Sequence, residues 1–381
     1  MSGRAAKLDL LGLLPDELTL FVRGLGEPAY RARQIFSWLH RGAAFEEMSD
    51  LPKALRARLA DVAVAGTLAA HERQTAPDGA AKFAFRTGDG HLVETVLIPH
   101  ARRTTVCVSS QIGCAYQCEF CATGKRGLTR DLTAGEIVGQ VVQVQRAIGE
   151  RRVSNVVFMG MGEPLANYDA VVKAIRILNH PAGLHIGARH IAVSTCGLPS
   201  QIRRLAREGL QVALAISLHA ATDELRSRFV PINRVHPLAE VIAAAREYAE
   251  RTGRKVAFQY VVLPGYNDTP EQAGRLAAIT RQLPSMVNLI PRNPIGGPSG
   301  PDAGPALRFA RMLEQRGVPV AVRASRGAEV LGACGQLGAQ PGGHDKAGRA
   351  PARPASETGR SGAPSGRSRS ARPGSGRRSS S

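Results

Sequence analysis

A chain of 381 residues with 43% hydrophobic content can fill a sizeable core, and its six cysteines are too few for a disulfide framework. They are expected to act as metal ligands or catalysts in a reducing, cytoplasmic setting. A formal net charge of +19 points to a polyanionic partner, nucleic acid first, while no run approaches the roughly 18 apolar residues of a membrane span and the early apolar run, broken by Asp9, is too short for a secretory signal.

From Leu8 to about Val64 the apolar spacing is helical. In EPAYRARQIFSWLHRG, Pro28 takes a first helical position, Tyr30, Ile35, Trp38 and Leu39 form the apolar set, and Gly42 is the stop. Residues 1–65 are therefore expected to form a small helical module. Over residues 66–100 the period changes: KFAFRTGDGHLVETVLIP is two β-rich runs about a Gly-Asp-Gly turn, a hairpin linking two domains.

From Thr104 onward β-rich runs alternate with helical ones: TTVCVSS, VSNVVFMG, HIAVSTCG, QVALAISLH, KVAFQYVVLPG, SMVNLIPRN and VPVAVRAS. Thr133, with Glu136 three residues later, reads as a capping box, and Ile137, Val141, Val144 and Ile148 line the face that would pack on a sheet. The alternation predicts parallel α/β over residues 101–338. Six to seven strands make an open or partial barrel, with functional groups at the C-terminal strand ends, where GMGEP, STCG, SLH and PRNP all fall. Residues 339–381, rich in Gly, Ser, Pro and Arg, are expected to be a disordered basic tail. That tail holds about +7 of the charge, so about +12 stays on the folded part.

The stretch GCAYQCEFCATGK holds Cys114, Cys118 and Cys121 with no fourth cysteine nearby. Three thiolates at this spacing suit three irons of a 4Fe-4S cluster, leaving the fourth iron free for a substrate. A zinc knuckle with a His or a distant Cys as fourth ligand is the alternative, although zinc ribbons favour paired C-x-x-C spacing.

With GEPAYRARQIFSWLH, LVETVLIP, CVSSQIGCAYQCEFCATGK, VVFMGMGEPLANY, AISLHA, LIPRNP and ACGQL, the chain resembles the RlmN/Cfr class of radical S-adenosylmethionine (SAM) RNA methyltransferases from about Leu8 to Gly338. The resemblance implies a partial (β/α)6 barrel, an RNA-binding accessory role for residues 1–65 and a 4Fe-4S cluster on Cys114, Cys118 and Cys121. It implies SAM, two per methylation, held by Gly162, Glu163, Ser194, Ser217, Leu218, His219 and Asn293. Glycine lets backbone approach the methionine part, a carboxylate accepts from its ammonium, and hydroxyl and amide groups hold ribose and adenine.

By the same resemblance, Cys334 carries the methyl group as S-methylcysteine, Glu94 in the hairpin is the general base, and Cys107 resolves a protein–RNA adduct through a transient disulfide with Cys334. A radical is required because carbon 2 of adenine is electron-poor and its C–H is no nucleophile. Cys196 has no such counterpart and is read as core or surroundings of the site. The implied partners are 23S rRNA, tRNA and an electron donor such as flavodoxin or ferredoxin, for a monomer with no membrane role. ACGQL and PRNP look closer to the RlmN type, which methylates carbon 2, than to the Cfr type, which methylates carbon 8; Arg292 departs from the RlmN pattern, where a non-basic residue is usual. A reading of another class is a non-catalytic RNA-binding protein with a zinc or cluster knuckle.

Overall fold

The computed structural model describes residues 7–294 and 302–339. The expected tail, apart from Ala339, lies outside these residues.

Three helices open the chain, α1 (Pro15–Gly24), α2 (Tyr30–Leu39) and α3 (Lys53–Val62). Pro15 starts α1 where a missing N–H costs nothing, and Glu17 folds back to accept from the Leu14 amide at 2.7 Å. Helix α2 begins two residues after Pro28, because the Pro28 carbonyl already accepts from the Arg31 amide at 3.0 Å in the turn leading in. Leu18, Val22, Ile35, Phe36 and Leu39 are buried, so the module is held by the faces its helices share.

A ten-stranded sheet follows, its strands lying side by side in chain order. Strands β1 (Ala69–Thr75), β2 (Ala81–Arg86) and β3 (Leu92–Pro99) are antiparallel, and β3 pairs antiparallel with β4 (Thr104–Cys107). The hairpin of the sequence reading is thus β2–β3. The added strand β1 was missed because AAHERQT is exposed at nearly every position and so has no apolar alternation; its charges suit a sheet edge.

From β4 every pairing is parallel, through β5 (Asn155–Phe158), β6 (Ile191–Thr195), β7 (Ala213–Ser217), β8 (Val256–Val262), β9 (Ser285–Pro291) and β10 (Val320–Val322). The connections carry α4 (Ala134–Ile148), α5 (Tyr168–Asn179), α6 (Pro199–Ala206), α7 (Asp223–Phe229), α8 (Leu238–Thr252), α9 (Pro270–Thr280) and α10 (Gly304–Glu314). Edge strands β1 and β10 do not pair with each other, so the α/β architecture is an open, partial barrel. No described helix is long and apolar enough to cross a membrane.

Helix α4 is capped as its sequence predicts: Thr133 Oγ1 accepts from the Glu136 amide at 3.1 Å, and Glu136 accepts from the Thr133 amide at 2.9 Å. Arg130 bridges this cap to the hairpin turn, donating to Glu136 at 2.7 and 2.8 Å and to Asp89 at 2.6 and 2.9 Å. The guanidinium holds the Asp89 carboxyl well below the usual carboxylate range. Thr133→Ala is expected to cost about 1 kcal/mol in denaturant unfolding. Glu136→Ala should cost more, because it also strands Arg130; equal losses would show that the bridge to the hairpin contributes nothing.

Candidate active site

The C-terminal ends of the parallel strands converge on a cavity of about 1050 Å³. Cys114, Cys118 and Cys121 line it from the loop after β4. That loop leaves and returns through a short antiparallel ribbon, Gln111–Gly113 against Leu128–Asp131. The Cys114 amide donates to the Gly127 carbonyl at 2.9 Å, and the Glu119 amide donates to the Phe229 carbonyl at 3.1 Å.

The donor set fits a cluster better than one ion. Zinc would draw its sulfurs to about 2.3 Å from one centre. A cluster seats each thiolate on a different iron and asks for a wider cage. Burial pushes the Cys114 thiol up to about 11 and the Cys118 thiol higher still.

Of the residues expected to hold SAM, Gly162, Glu163, Ser194, Ser217, His219 and Asn293 line this cavity; Leu218 does not. Leu218 is fully buried and acts through its backbone, donating to the Gln259 carbonyl at 3.0 Å and accepting from Arg226 at 3.1 Å. Gly162 has φ +96°, and an added Cβ would lie 2.5 Å from the Cβ of Gln111, so glycine is required there. Ser194 and Ser217 bring their hydroxyls to 3.4 Å of each other.

Glu163 is more occupied than expected. Its two oxygens accept from the Leu165 and Cys196 amides at 3.0 and 2.7 Å, tying the loop after β5 to the loop after β6, and burial pushes its carboxyl up. His219 sits edge-on to Phe120 with ring centroids 4.5 Å apart. Burial drives its pKa down to about 3, and its Nδ1 accepts from the Val261 amide at 3.0 Å, so the neutral ring carries its proton on Nε2. Asn293 donates to the Cys334 carbonyl at 3.0 Å, while its buried Oδ1 has no partner among the described residues.

Cys107, at the end of β4, is buried against Val96, Met161 and Leu337, and Cys334 lines the same cavity from the segment after β10. Both are free thiols, as are the other four cysteines. Burial pushes the Cys107 thiol up, whereas Cys334 is exposed. The Cys334 segment lies directly on the cysteine loop. The Ala122 amide donates to the Gly335 carbonyl at 2.8 Å, and Thr123 Oγ1 donates to the Leu337 carbonyl at 2.7 Å. Gly335, at φ +83°, admits no Cβ because one would stand 2.7 Å from the Phe120 carbonyl oxygen.

Glu94 is not in the cavity wall. It is buried beneath the Cys334 segment, with Oε2 accepting from the Gly338 amide at 2.6 Å and Oε1 lying 3.4 Å from Lys82 Nζ. Cys196 is buried beside Glu163, which accepts from its amide.

Several supporting residues were not singled out from the sequence. Gln140, fully buried, accepts from Thr95 Oγ1 and the Ser109 amide and donates to the Ser109 carbonyl, at 2.7, 2.8 and 2.9 Å. Arg226, also fully buried, donates to the carbonyls of Cys196, Ser217 and Leu218 and so joins the ends of β6 and β7. In DELRSRF it reads as a solvated helix charge; the one sequence signal was its position seven residues beyond SLH. Arg102, Arg103, Arg151, Arg152 and Arg326 line a second, shallow cavity of about 680 Å³, and Arg103 and Arg326 line the larger cavity as well.

The family model for the Radical SAM superfamily matches residues 108–277, and that for the ribosomal RNA large subunit methyltransferase N-terminal domain matches residues 8–65. The dual-specificity RNA methyltransferase RlmN of Anaeromyxobacter dehalogenans is 47% identical over 90% of this chain and 95% of its own length. That of Geobacter sulfurreducens is 48% identical over 87% and 92%. A crystal structure of a radical SAM methyltransferase from Sphaerobacter thermophilus superposes with a TM-score of 0.84 at 48% identity, covering 87% of this chain and all of that one. Matches of this identity and coverage, at both ends of the fold, make the chain a member of the RlmN family of radical SAM RNA methyltransferases.

Proposed function

We propose that the enzyme methylates carbon 2 of a specific adenosine in 23S rRNA and of an adenosine in the tRNA anticodon loop, in the cytoplasm, with an electron donor of the flavodoxin or ferredoxin kind. The observation that carries the reading is the meeting of two free thiols, Cys107 and Cys334, with the cysteine loop around one cavity. A reaction that ended at SAM cleavage would need neither.

Cys114, Cys118 and Cys121 hold the 4Fe-4S cluster, and the orphaned Asn293 Oδ1 offers an acceptor for an amino group of SAM. Ser194 and Ser217 offer hydroxyls on the same wall, and Glu163 keeps the Gly162 turn in shape for the methionine part. Bound there, cluster and SAM supply a radical able to activate an S-methyl group.

The remaining work belongs to the chain. Cys334 carries the methyl carbon as a thioether and delivers it to the ring. Glu94 accepts the ring proton as general base. With the odd electron of the adduct passed to the electron carrier, Cys107 then attacks the Cys334 sulfur as a thiolate: the S–S bond forms, the S–C bond breaks, the released carbon takes up a proton to complete the methyl group, and external reductant later reopens the disulfide. The burial of Cys107 against Leu337, three residues beyond Cys334, supports this pairing of roles. Residues 1–65 and the arginines around the shallow cavity suit phosphate contacts, whose strength falls with salt.

Mass spectrometry of nucleosides from RNA turned over by the enzyme tests the regiochemistry: 2-methyladenosine is expected in both RNAs, and 8-methyladenosine would assign the Cfr type instead. Changing Cys114, Cys118 and Cys121 together to Ala should abolish the brown colour and 5′-deoxyadenosine formation. Zinc in the purified protein, or iron surviving the triple change, would refute the cluster assignment. Cys107→Ala should accumulate a covalent protein–RNA complex on denaturing gels, at least tenfold over the unsubstituted enzyme. Cys334→Ala, alone or combined with Cys107→Ala, should form none, because the resolving thiol acts only after the linkage exists.

A further inference from the structure

One buried cation has no task in the chemistry above. Lys82 lies on β2 with its side chain 4% exposed, and its Nζ makes no hydrogen bond among the described residues. Its ion-pair partner is Glu94, whose side chain is 3% exposed and whose Oε1 is 3.4 Å away. Removing an ammonium from water is unfavourable, and a buried pair at this separation is no more stabilising than apolar side chains of like volume. Stability therefore does not explain why a lysine stands here.

The register does. Across the β2–β3 pair Lys82 faces Val96 and Ala84 faces Glu94, which makes Lys82 and Glu94 diagonal neighbours on one face of the sheet. That face also carries Val96, which packs against Cys107 and Leu337. With Oε1 turned to Lys82, Oε2 points at the segment that bears Cys334 and accepts from the Gly338 amide at 2.6 Å.

The segment has little regular structure of its own, a single 3-10 turn at Ala328–Val330. Its other fastenings among the described residues include Ala122 and Thr123 in the cysteine loop, Asn293 and the Pro294 carbonyl after β9, and Asp78 before β2, which accepts from the Gly327 amide at 3.1 Å. Glu94 fastens it from the hairpin side, four residues beyond Cys334, by a short bond to a carboxylate.

We propose that Lys82 is a positioning residue for the methyl transfer. It orients Glu94 so that one carboxylate both serves as the base and fastens the Cys334 segment, setting the methyl-carrying thiol and the proton acceptor as one unit. The inference rests on the reading of Glu94 as general base.

The test uses the full-length, cluster-loaded enzyme with Lys82→Met, Lys82→Arg and Glu94→Gln. Two quantities are read: hydrogen exchange at the Gly338 amide, and methyladenosine formed per 5′-deoxyadenosine released. Lys82→Met should raise exchange at Gly338 at least tenfold and lower the product ratio at least fivefold, and Lys82→Arg should recover most of both. Unchanged exchange in Lys82→Met overturns the proposal. So does loss of the cluster's visible absorbance in Lys82→Met and Lys82→Arg alike, which would reduce the lysine to a folding role. Glu94→Gln separates the underlying reading: a normal product ratio there refutes Glu94 as the base, while the exchange result still decides whether Lys82 fastens the segment.

Discussion

Parallel pairing from β4 to β10 is the constraint on which the site depends. A parallel neighbour requires a crossover, and crossovers through helices return every strand to the sheet in the same direction. Seven strand ends are thereby gathered on one rim, and the groups that do chemistry come from segments far apart in the chain: the cysteine loop, the turns after β5, β6, β7 and β9, and the segment after β10. No local pattern could bring Cys107 and Cys334 to one cavity.

Buried polar groups then make that rim rigid. Arg226 joins the ends of β6 and β7, Glu163 joins the turns after β5 and β6, and Gln140 joins α4 to the chain after β4 and to the hairpin. In each case the group meets backbone or side-chain partners, as burial demands. By contrast, the Cys334 segment is held by single hydrogen bonds to its neighbours rather than by a ladder. Elements of this kind open at lower free energy than core strands. The role proposed for Cys334, reaching an RNA base and then a second thiol, suits such a segment.

Positive charge runs from one cavity to the other. Arg103, Arg254, Lys255, Arg292, Arg323 and Arg326 line the larger cavity, and Arg103 and Arg326 also line the smaller one with Arg102, Arg151 and Arg152. A polyanion is attracted to such a surface, with a strength that falls as salt rises.

How much was legible beforehand follows from which interactions are local. The capping box at Thr133 and Glu136, the parallel α/β alternation and the hairpin are written in neighbouring residues, so a single sequence determines them. The close spacing of Cys114, Cys118 and Cys121 is likewise local, and the cluster proposed for them was legible from it. Strand β1 escaped because an edge strand exposed at nearly every position has no period to read, and Arg226 escaped because a charged helix residue gives no sign of the carbonyls it will meet. The tertiary structure alone decided that Leu218 acts through its backbone, that Glu163 spends both oxygens on amides, and that Glu94 lies under the Cys334 segment beside Lys82. Each of these depends on which partner a polar atom finds at long sequence separation, and that choice is made by packing after the strands have assembled.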